Sequence, residues 1–297
     1  MSFERVGNKS FSVGESPRWH CEQKKLWFTD VPEQKLNVYD PLCDEFAELF
    51  IGKNVSGFCF NKDGRIVCAT HTGVYLADKD GRVELVAKAK DGHYLKCNDC
   101  TADAKGRFLF GTSFYDPGIN HGDLGNLYVM NCDRSIIKVD DGIIHSNGMA
   151  FSPDQKLFYY TDCAARKIYV YDYDLESGIP KNRREFVNIP RYEGIPDGMA
   201  VDAEGYVWSA QWYGGVVVRY KPDGNIDFVM RTPAQQTSAI AFGGDDLCDI
   251  YVTSAQRWAY LDDIPINYEY DVLPPGGGLY RFNYGIKGTS VHFADIK

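Results

Sequence analysis

The feature that most constrains this chain is a motif written six times. "ESPRWHCEQKKLWFTD" begins at Glu15, "SGFCFNKDGRIVCAT" at Ser56 and "DCTADAKGRFLFGTS" at Asp99. "NGMAFSPDQKLFYYTD" begins at Asn147, "DGMAVDAEGYVWSAQ" at Asp197 and "SAIAFGGDDLCDIYVTS" at Ser238. The starts lie 41, 43, 48, 50 and 41 residues apart. Each copy runs from small and apolar residues through a polar turn such as "NKDGR" or "DAEGY" into a β-branched and aromatic run. An alternating stretch follows, as in "GNLYVMN", "KIYVYDYD" and "GGLYRFN". Such alternation marks half-buried strands, and the turn residues between them mark hairpins. Long stretches with helical apolar spacing are absent.

A repeat of 40 to 50 residues carrying three or four strands predicts an all-β, six-bladed β-propeller. A single blade cannot bury both faces of its sheet, so neighbouring blades bury each other and a closed ring leaves no exposed end. The whole stretch 1–297 is expected to form one domain, since no low-complexity linker interrupts the copies. The N-terminal strand near "FERVG" is expected to close the last blade against "GGGLYRFN".

Composition removes several function classes. The net charge is −9, so the basic excess of a nucleic-acid binder is missing. No apolar run reaches the length of about 18 residues that would suggest a membrane span. The N-terminal "MSFERVGNKSFSVGESP" has no apolar core of the secretory type. The nine cysteines follow no zinc-finger spacing, and "KCNDC" holds a lone Cys-x-x-Cys within a strand-like stretch. Free thiols, a cytoplasmic location and a monomer or weak oligomer are the resulting expectations.

The residue leading each copy sits just before an innermost strand, at one mouth of the channel. Read from the repeat, these residues are Glu15, Ser56, Asp99, Asn147, Asp197 and Ser238. They are far apart in sequence and converge in a closed ring. Glu15, Asn147 and Asp197 together are hard oxygen donors, suited to one divalent cation such as Ca²⁺, Mg²⁺ or Mn²⁺. Carboxylates also take Zn²⁺, and Fe²⁺ is a further candidate, although His or Cys usually accompanies zinc. The alternative is that each polar residue caps its own turn.

The stretches "GESPRW", "SNGMAFSPD", "IPDGMAVDAEG" and "AFGG", with "FYYTD" and "YDYDLESG", resemble the SMP-30/gluconolactonase/regucalcin family. The resemblance runs in order along essentially the whole chain. It implies a divalent cation held by Glu15, Asn147 and Asp197 at one end of the channel, and hydrolysis of sugar lactones to aldonic acids. The family's R-F-N-D-G substrate motif corresponds to "KCNDC", keeping Asn98 and Asp99 but replacing arginine by Lys96 and glycine by Cys100. An acidic residue of the family, following its "GTM" segment, corresponds to Asp116 in "GTSFYD". Lys96, Asn98, Asp99 and Asp116 are therefore the expected substrate-binding residues. A lysine lacks the rigid fork of arginine, so its contacts to sugar hydroxyls differ.

Asp197 is the candidate general base for opening the lactone ring. A serine-esterase mechanism finds no support, since no G-x-S-x-G motif occurs. His145 lies near Asn147 and either lines the mouth or is an ordinary loop histidine. Trp212 and Tyr213 either stack on a sugar face or pack between blades. The alternatives to a sugar lactonase are a propeller hydrolase of non-sugar lactones or organophosphates, a calcium-binding regulatory protein, and a protein-interaction propeller. The converging carboxylates speak against the last.

Overall fold

The computed structural model describes residues 3–114, 124–191, 193–256, 264–266, 268 and 276–297. Strand β1 is Glu4–Val6. The first sheet comprises β2 (Gly14–His20), β3 (Lys25–Asp30), β4 (Lys35–Asp40) and β5 (Glu45–Phe50). The second comprises β6 (Val55–Phe60), β7 (Ile66–Thr70), β8 (Gly73–Ala77) and β9 (Val83–Ala87). A small hairpin follows, β10 (Ala89–Lys90) and β11 (His93–Tyr94), which the repeat did not announce.

The third sheet is β12 (Cys97–Ala102), β13 (Phe108–Thr112), β14 (Gly125–Met130) and β15 (Ile136–Ile143). The fourth is β16 (Ser146–Phe151), β17 (Leu157–Asp162), β18 (Lys167–Asp174) and β19 (Ile179–Asn188). The fifth is β20 (Ile195–Val201), β21 (Val207–Trp212), β22 (Val216–Tyr220) and β23 (Ile226–Arg231). The sixth joins β24 (Thr237–Gly243), β25 (Asp249–Ser254) and β26 (Leu279–Asn283) to β1. All pairings are antiparallel meanders, giving the six-bladed propeller expected from the repeat. Among the described residues there is no α-helix, and so none long and apolar enough to cross a membrane.

The closing strand is also where the sequence placed it. Glu4, Arg5 and Val6 pair with Arg281, Tyr280 and Leu279. The first and last parts of the chain thus share one blade, and the ring is held by main-chain hydrogen bonds where an open end would otherwise expose a strand edge.

The inner strands are buried along their length because each packs between two neighbours and the channel. β6 and β24 are buried at every residue. Outer strands such as β5 and β23 alternate or are exposed, as edges facing water require. The core lies between blades. Phe108, Phe110 and Tyr128 stack between the second and third sheets. Trp208 packs with Phe242 and Phe282 between the fifth and sixth.

The segment after β26 crosses the face opposite the ring residues. The Lys287 carbonyl accepts from Ala203 N, and Gly288 N donates to the Leu247 carbonyl. Ile296 exchanges two bonds with the Asn61 side chain. Between this strap and the ring lies a cavity of about 440 Å³, lined among others by Ser16, Arg18, Asp99, Cys100, Met149 and Met199.

Candidate functional site

Each inner strand breaks register with its partner once, and always near its start. The slips fall between Glu15 and Arg18, Val55 and Gly57, Cys97 and Asp99, Ser146 and Met149, Pro196 and Met199, and Thr237 and Ala239. A bulge adds a residue to one strand and re-aims its side chain. Five bulges at one level therefore turn Ser56, Asn98, Asn147, Asp197 and Ser238 out of the sheet pattern at the mouth. In the first blade the slip skips Ser16 and Pro17, and Glu15, still paired with Thr29, stands at its edge. Five of these six ring positions are the residues expected from the repeat. In the third blade the ring position belongs to Asn98, and Asp99 lies one step deeper, paired with Gly111. The sequence offers two adjacent polar residues there, and only the bulge decides between them.

The ring then divides into two sets. Ser56 Oγ donates to the Cys97 carbonyl at 2.9 Å, Asn98 Nδ2 to the Ser146 carbonyl at 2.7 Å, and Ser238 Oγ to the Gly14 carbonyl at 2.6 Å. Every acceptor immediately precedes the next blade's ring residue. These three side chains tie neighbouring inner strands together. Glu15, Asn147 and Asp197 form no such tie among the described residues, which leaves their oxygens for another purpose.

Glu15 and Asp197 touch through their carboxyl groups. Burial, and then the Asp99 charge, push Glu15 up to about 8. Burial, Glu15 and Asp99 together hold Asp197 well above the usual carboxylate range. Asp197 Oδ1 is buried without a hydrogen-bond partner. The remaining oxygen comes from Asn147, whose side chain contacts the Cys163 thiol, itself held protonated by burial and by the Asp197 charge. Two buried like charges in contact, with an orphaned oxygen between strands, are unfavourable unless a proton or a cation joins them. This all-oxygen donor set fits a hard divalent cation. Among the described residues, no three side chains of His, Cys, Asp or Glu gather closely enough to hold a metal by themselves. The amide of Asn147 is thus part of any such set.

The glycines after Asn147 and Asp197 make the convergence sterically feasible. A Cβ on Gly148 would lie 2.6 Å from the Asp197 carbonyl oxygen. A Cβ on Gly198 would lie 2.3 Å from Ala239 Cβ. The repeated "NGM" and "DGM" therefore combine an oxygen donor with a residue that lets the next inner strand approach.

Of the expected substrate residues, Lys96 stands two positions before Asn98 on the mouth side, where its carbonyl accepts from Ser113 N. Asn98 gives one of its two amide hydrogens to the Ser146 carbonyl, leaving the other hydrogen and its carbonyl oxygen. Asp99 Oδ1 accepts from Cys100 N at 2.7 Å, and the Asp99 carboxyl is pushed up to about 6 by burial, against the opposing charge of Arg18. Asp116 lies outside the described residues. His145 Nδ1 and Ser113 Oγ are 2.7 Å apart across a β-bridge, so this histidine is held at the mouth. Trp212 and Tyr213 are buried with Ile195 and Cys163, and Tyr213 meets Tyr268 edge-on at 4.9 Å, so they pack between elements.

Three neighbours of the site were assigned no role from the sequence. Arg18 follows the "GESP" stretch and donates from Nη2 to the Cys100 carbonyl at 2.6 Å. Cys163 and Ser113 reach the site only because β17 and β13 run beside the inner strands. Nothing in their local sequence distinguishes them from core residues.

The sequence matches the SMP-30/gluconolactonase/LRE-like region over residues 13–256. A pentonolactonase of Haloferax volcanii is 35% identical over 255 residues, covering 86% of each chain. Regucalcin of Xenopus laevis is 32% identical over 296 residues, covering 98% of this chain and 97% of its own. The solved structure of a luciferin-regenerating enzyme superposes with a TM-score of 0.89 at 26% identity, covering 99% of each chain. With its bulged ring of oxygen donors and these similarities along nearly its whole length, the chain belongs to the SMP-30/gluconolactonase/LRE-like family.

Proposed function

We propose that this protein is a metal-dependent sugar lactonase that opens aldonolactones to aldonic acids. The observation that carries the reading is the division of the ring, in which Glu15, Asn147 and Asp197 are the members not consumed in tying blades together. The similarity to a pentonolactonase supports lactone chemistry and makes five-carbon lactones the first substrates to test.

Glu15, Asn147 and Asp197 would hold the cation. When bound, a divalent ion supplies Lewis acidity toward a carbonyl and makes water a better nucleophile at neutral pH. The chain's own residues do the rest. Asp197 Oδ1, the oxygen without a partner, takes a proton from water as the water oxygen bonds the lactone carbonyl carbon, and returns it to the ring oxygen as the acyl–oxygen bond breaks. Lys96 donates to the hydroxyls of the sugar, and the free carbonyl oxygen of Asn98 accepts from one of them. Asp99 contributes acceptor capacity and negative charge below them, and Asp116 is the acidic partner proposed for Lys96. Cys100 lines the cavity beside Asp99, with its thiol directed to Cys59 in the core between the second and third blades.

The test is lactone hydrolysis on a panel of pentono- and hexonolactones, with metal-stripped protein reloaded with Ca²⁺, Mg²⁺, Mn²⁺, Fe²⁺ or Zn²⁺. Wild type is compared with Glu15→Gln and Asp197→Ala. Metal-dependent turnover lost in both variants supports the reading. Stoichiometric metal binding without turnover on any lactone turns it toward a calcium-binding regulatory protein. Turnover on non-sugar lactones or organophosphates alone turns it toward the related hydrolases.

A further inference from the structure

We propose that Cys59 and Cys100, with Arg18 beside them, form a dithiol site that hydrogen peroxide converts to a disulfide joining the second and third blades. The inference needs no metal and stands apart from the lactonase reading.

Cys59 lies on β6 and Cys100 on β12, the inner strands of neighbouring blades. Both are buried in the core between those blades, and their thiols hydrogen-bond to each other. The strands approach closely here: a Cβ on Gly57, two residues before Cys59, would lie 2.9 Å from Cys100 Sγ. The buried thiols of Cys68 and Cys97 donate instead to the main-chain carbonyls of Ile66 and Leu95. Cys100 also lines the cavity, whose wall runs out to the exposed Lys287 and Ser290 of the strap. A small solute thus has a route to this pair. A bridge here would act on the candidate site, because Cys100 N donates to Asp99 Oδ1 at 2.7 Å.

Arg18 supplies the positive charge that favours a thiolate. Its Nη2 donates to the Cys100 carbonyl at 2.6 Å, and its guanidinium lies 5.9 Å from the centre of the Phe58 ring, next to Cys59 in the chain. Its Nε is buried without a partner. Among the described residues no carboxylate lies within ion-pair distance of it. A buried cation of this kind favours an anion beside it. Burial raises the Cys59 thiol, but its bond to Cys100 and the Arg18 charge outweigh burial and the weaker opposition of Asp99, leaving it below the usual thiol value. Burial and Cys59 push Cys100 up, so the pair ionises once and keeps one proton between its sulfurs.

The chemistry balances with one peroxide. Ionisation of Cys59 releases a proton to water. The Cys100 sulfur attacks a peroxide oxygen as its own proton passes along the S–H···S bond to Cys59. The O–O bond breaks, Cys100 becomes a sulfenic acid, and the departing hydroxide takes up a proton to become water. The Cys59 sulfur then attacks the Cys100 sulfur, the S–O bond breaks, and hydroxide leaves with the Cys59 proton as a second water. Two thiols are oxidised to one disulfide, and hydrogen peroxide is reduced to water.

The experiment uses the full chain, reduced and then exposed to hydrogen peroxide. Samples are quenched, unfolded and alkylated, and their peptides are mapped by mass spectrometry. The expected product is a cross-link between the Cys59 and Cys100 peptides, reversed by dithiothreitol, while Cys68 and Cys97 are recovered alkylated. Arg18→Met should slow its formation about tenfold, the effect of one pKa unit on the thiolate fraction. Arg18→Lys should restore most of the rate. Recovery of Cys59 and Cys100 as thiols, under peroxide that oxidises the exposed Cys21 and Cys43, overturns the proposal. A cross-link that forms in Arg18→Met at the wild-type rate overturns it as well. If Arg18→Met does not fold, the pH profile of cross-linking in wild type decides. A half-maximal rate below the ordinary thiol value of about 8.5 is expected, and one at or above that value overturns the proposal.

Discussion

Ser238 Oγ donates to the Gly14 carbonyl at 2.6 Å, across 224 residues of sequence. The bond joins the inner strand of the sixth blade to that of the first, at the residue preceding Glu15. Ser56 and Asn98 make the same tie two and three blades further on. A propeller that must hold three oxygens apart from its own bonding does so by giving the bonding to the other three.

Ser238→Ala should therefore cost stability and loosen Glu15. The serine is fully buried, and its loss orphans a buried carbonyl. A cost of about 1–3 kcal/mol is expected, read as a lower urea midpoint with an unchanged slope. Metal affinity should fall in the same variant, because the Gly14 carbonyl no longer fixes the backbone entering Glu15.

Gly148→Ala and Gly198→Ala should be more damaging than their size suggests. The added Cβ meets backbone oxygen in the first case and Ala239 in the second, both far inside contact distance. Losses of about 2 kcal/mol or more are expected by denaturant unfolding. Calorimetric titration should show weakened metal binding in whatever protein remains folded.

Metal-free protein should lose stability as pH rises between about 4.5 and about 8, the span over which Glu15 is displaced. The sign follows from proton counting. In this window the folded state keeps a proton on the Glu15–Asp197 pair that the unfolded chain has released, so raising pH favours unfolding. Asp99, pushed up to about 6, acts in the same direction over the lower part of the span. Thermal melts from pH 5 to 8 should show the fall, Glu15→Gln should flatten it, and saturating Ca²⁺ should abolish it. A flat profile in metal-free wild type would contradict the buried-pair argument.

Arg219→Met should unfold the fifth blade more readily than any surface change. Asp202 is fully buried and accepts from Arg219 at 2.7 and 2.9 Å and from Trp208 Nε1 at 2.8 Å. Arg219 also bonds Glu204 and Asp227 and stacks 3.6 Å from the centre of the Tyr206 ring. Removing the arginine strands a buried carboxylate at a cost of about 3–5 kcal/mol. Arg219→Met with Asp202→Asn should recover much of the loss, measured by chemical denaturation.

Much of this protein was legible because its information is repeated. The blade count, the closing strand at Glu4–Val6, and Glu15, Asn147 and Asp197 as equivalent positions all follow from aligning six copies of one pattern. The third blade was misread by one residue. "KCNDC" presents Asn98 and Asp99 side by side, and no local preference says which of them the bulge selects. Cys163 and Ser113 were not legible at all, since each reaches the site from the end of a strand beside an inner one; Arg18 lies on β2 itself, and only its bond to the Cys100 carbonyl of the third blade gives it a place there.

The sequence by itself determined the all-β architecture, the number of blades and the equivalence of the ring positions. Hydrophobic period and turn chemistry are local, and repetition made them unambiguous. Only the tertiary structure decided which ring residues are free. That choice depends on whether a side chain finds the next blade's carbonyl, a contact between strands tens to hundreds of residues apart. Burial, too, belongs to the assembled ring: the same carboxylate that is ordinary in an open chain becomes a proton- or cation-seeking group once Glu15 and Asp197 are enclosed together.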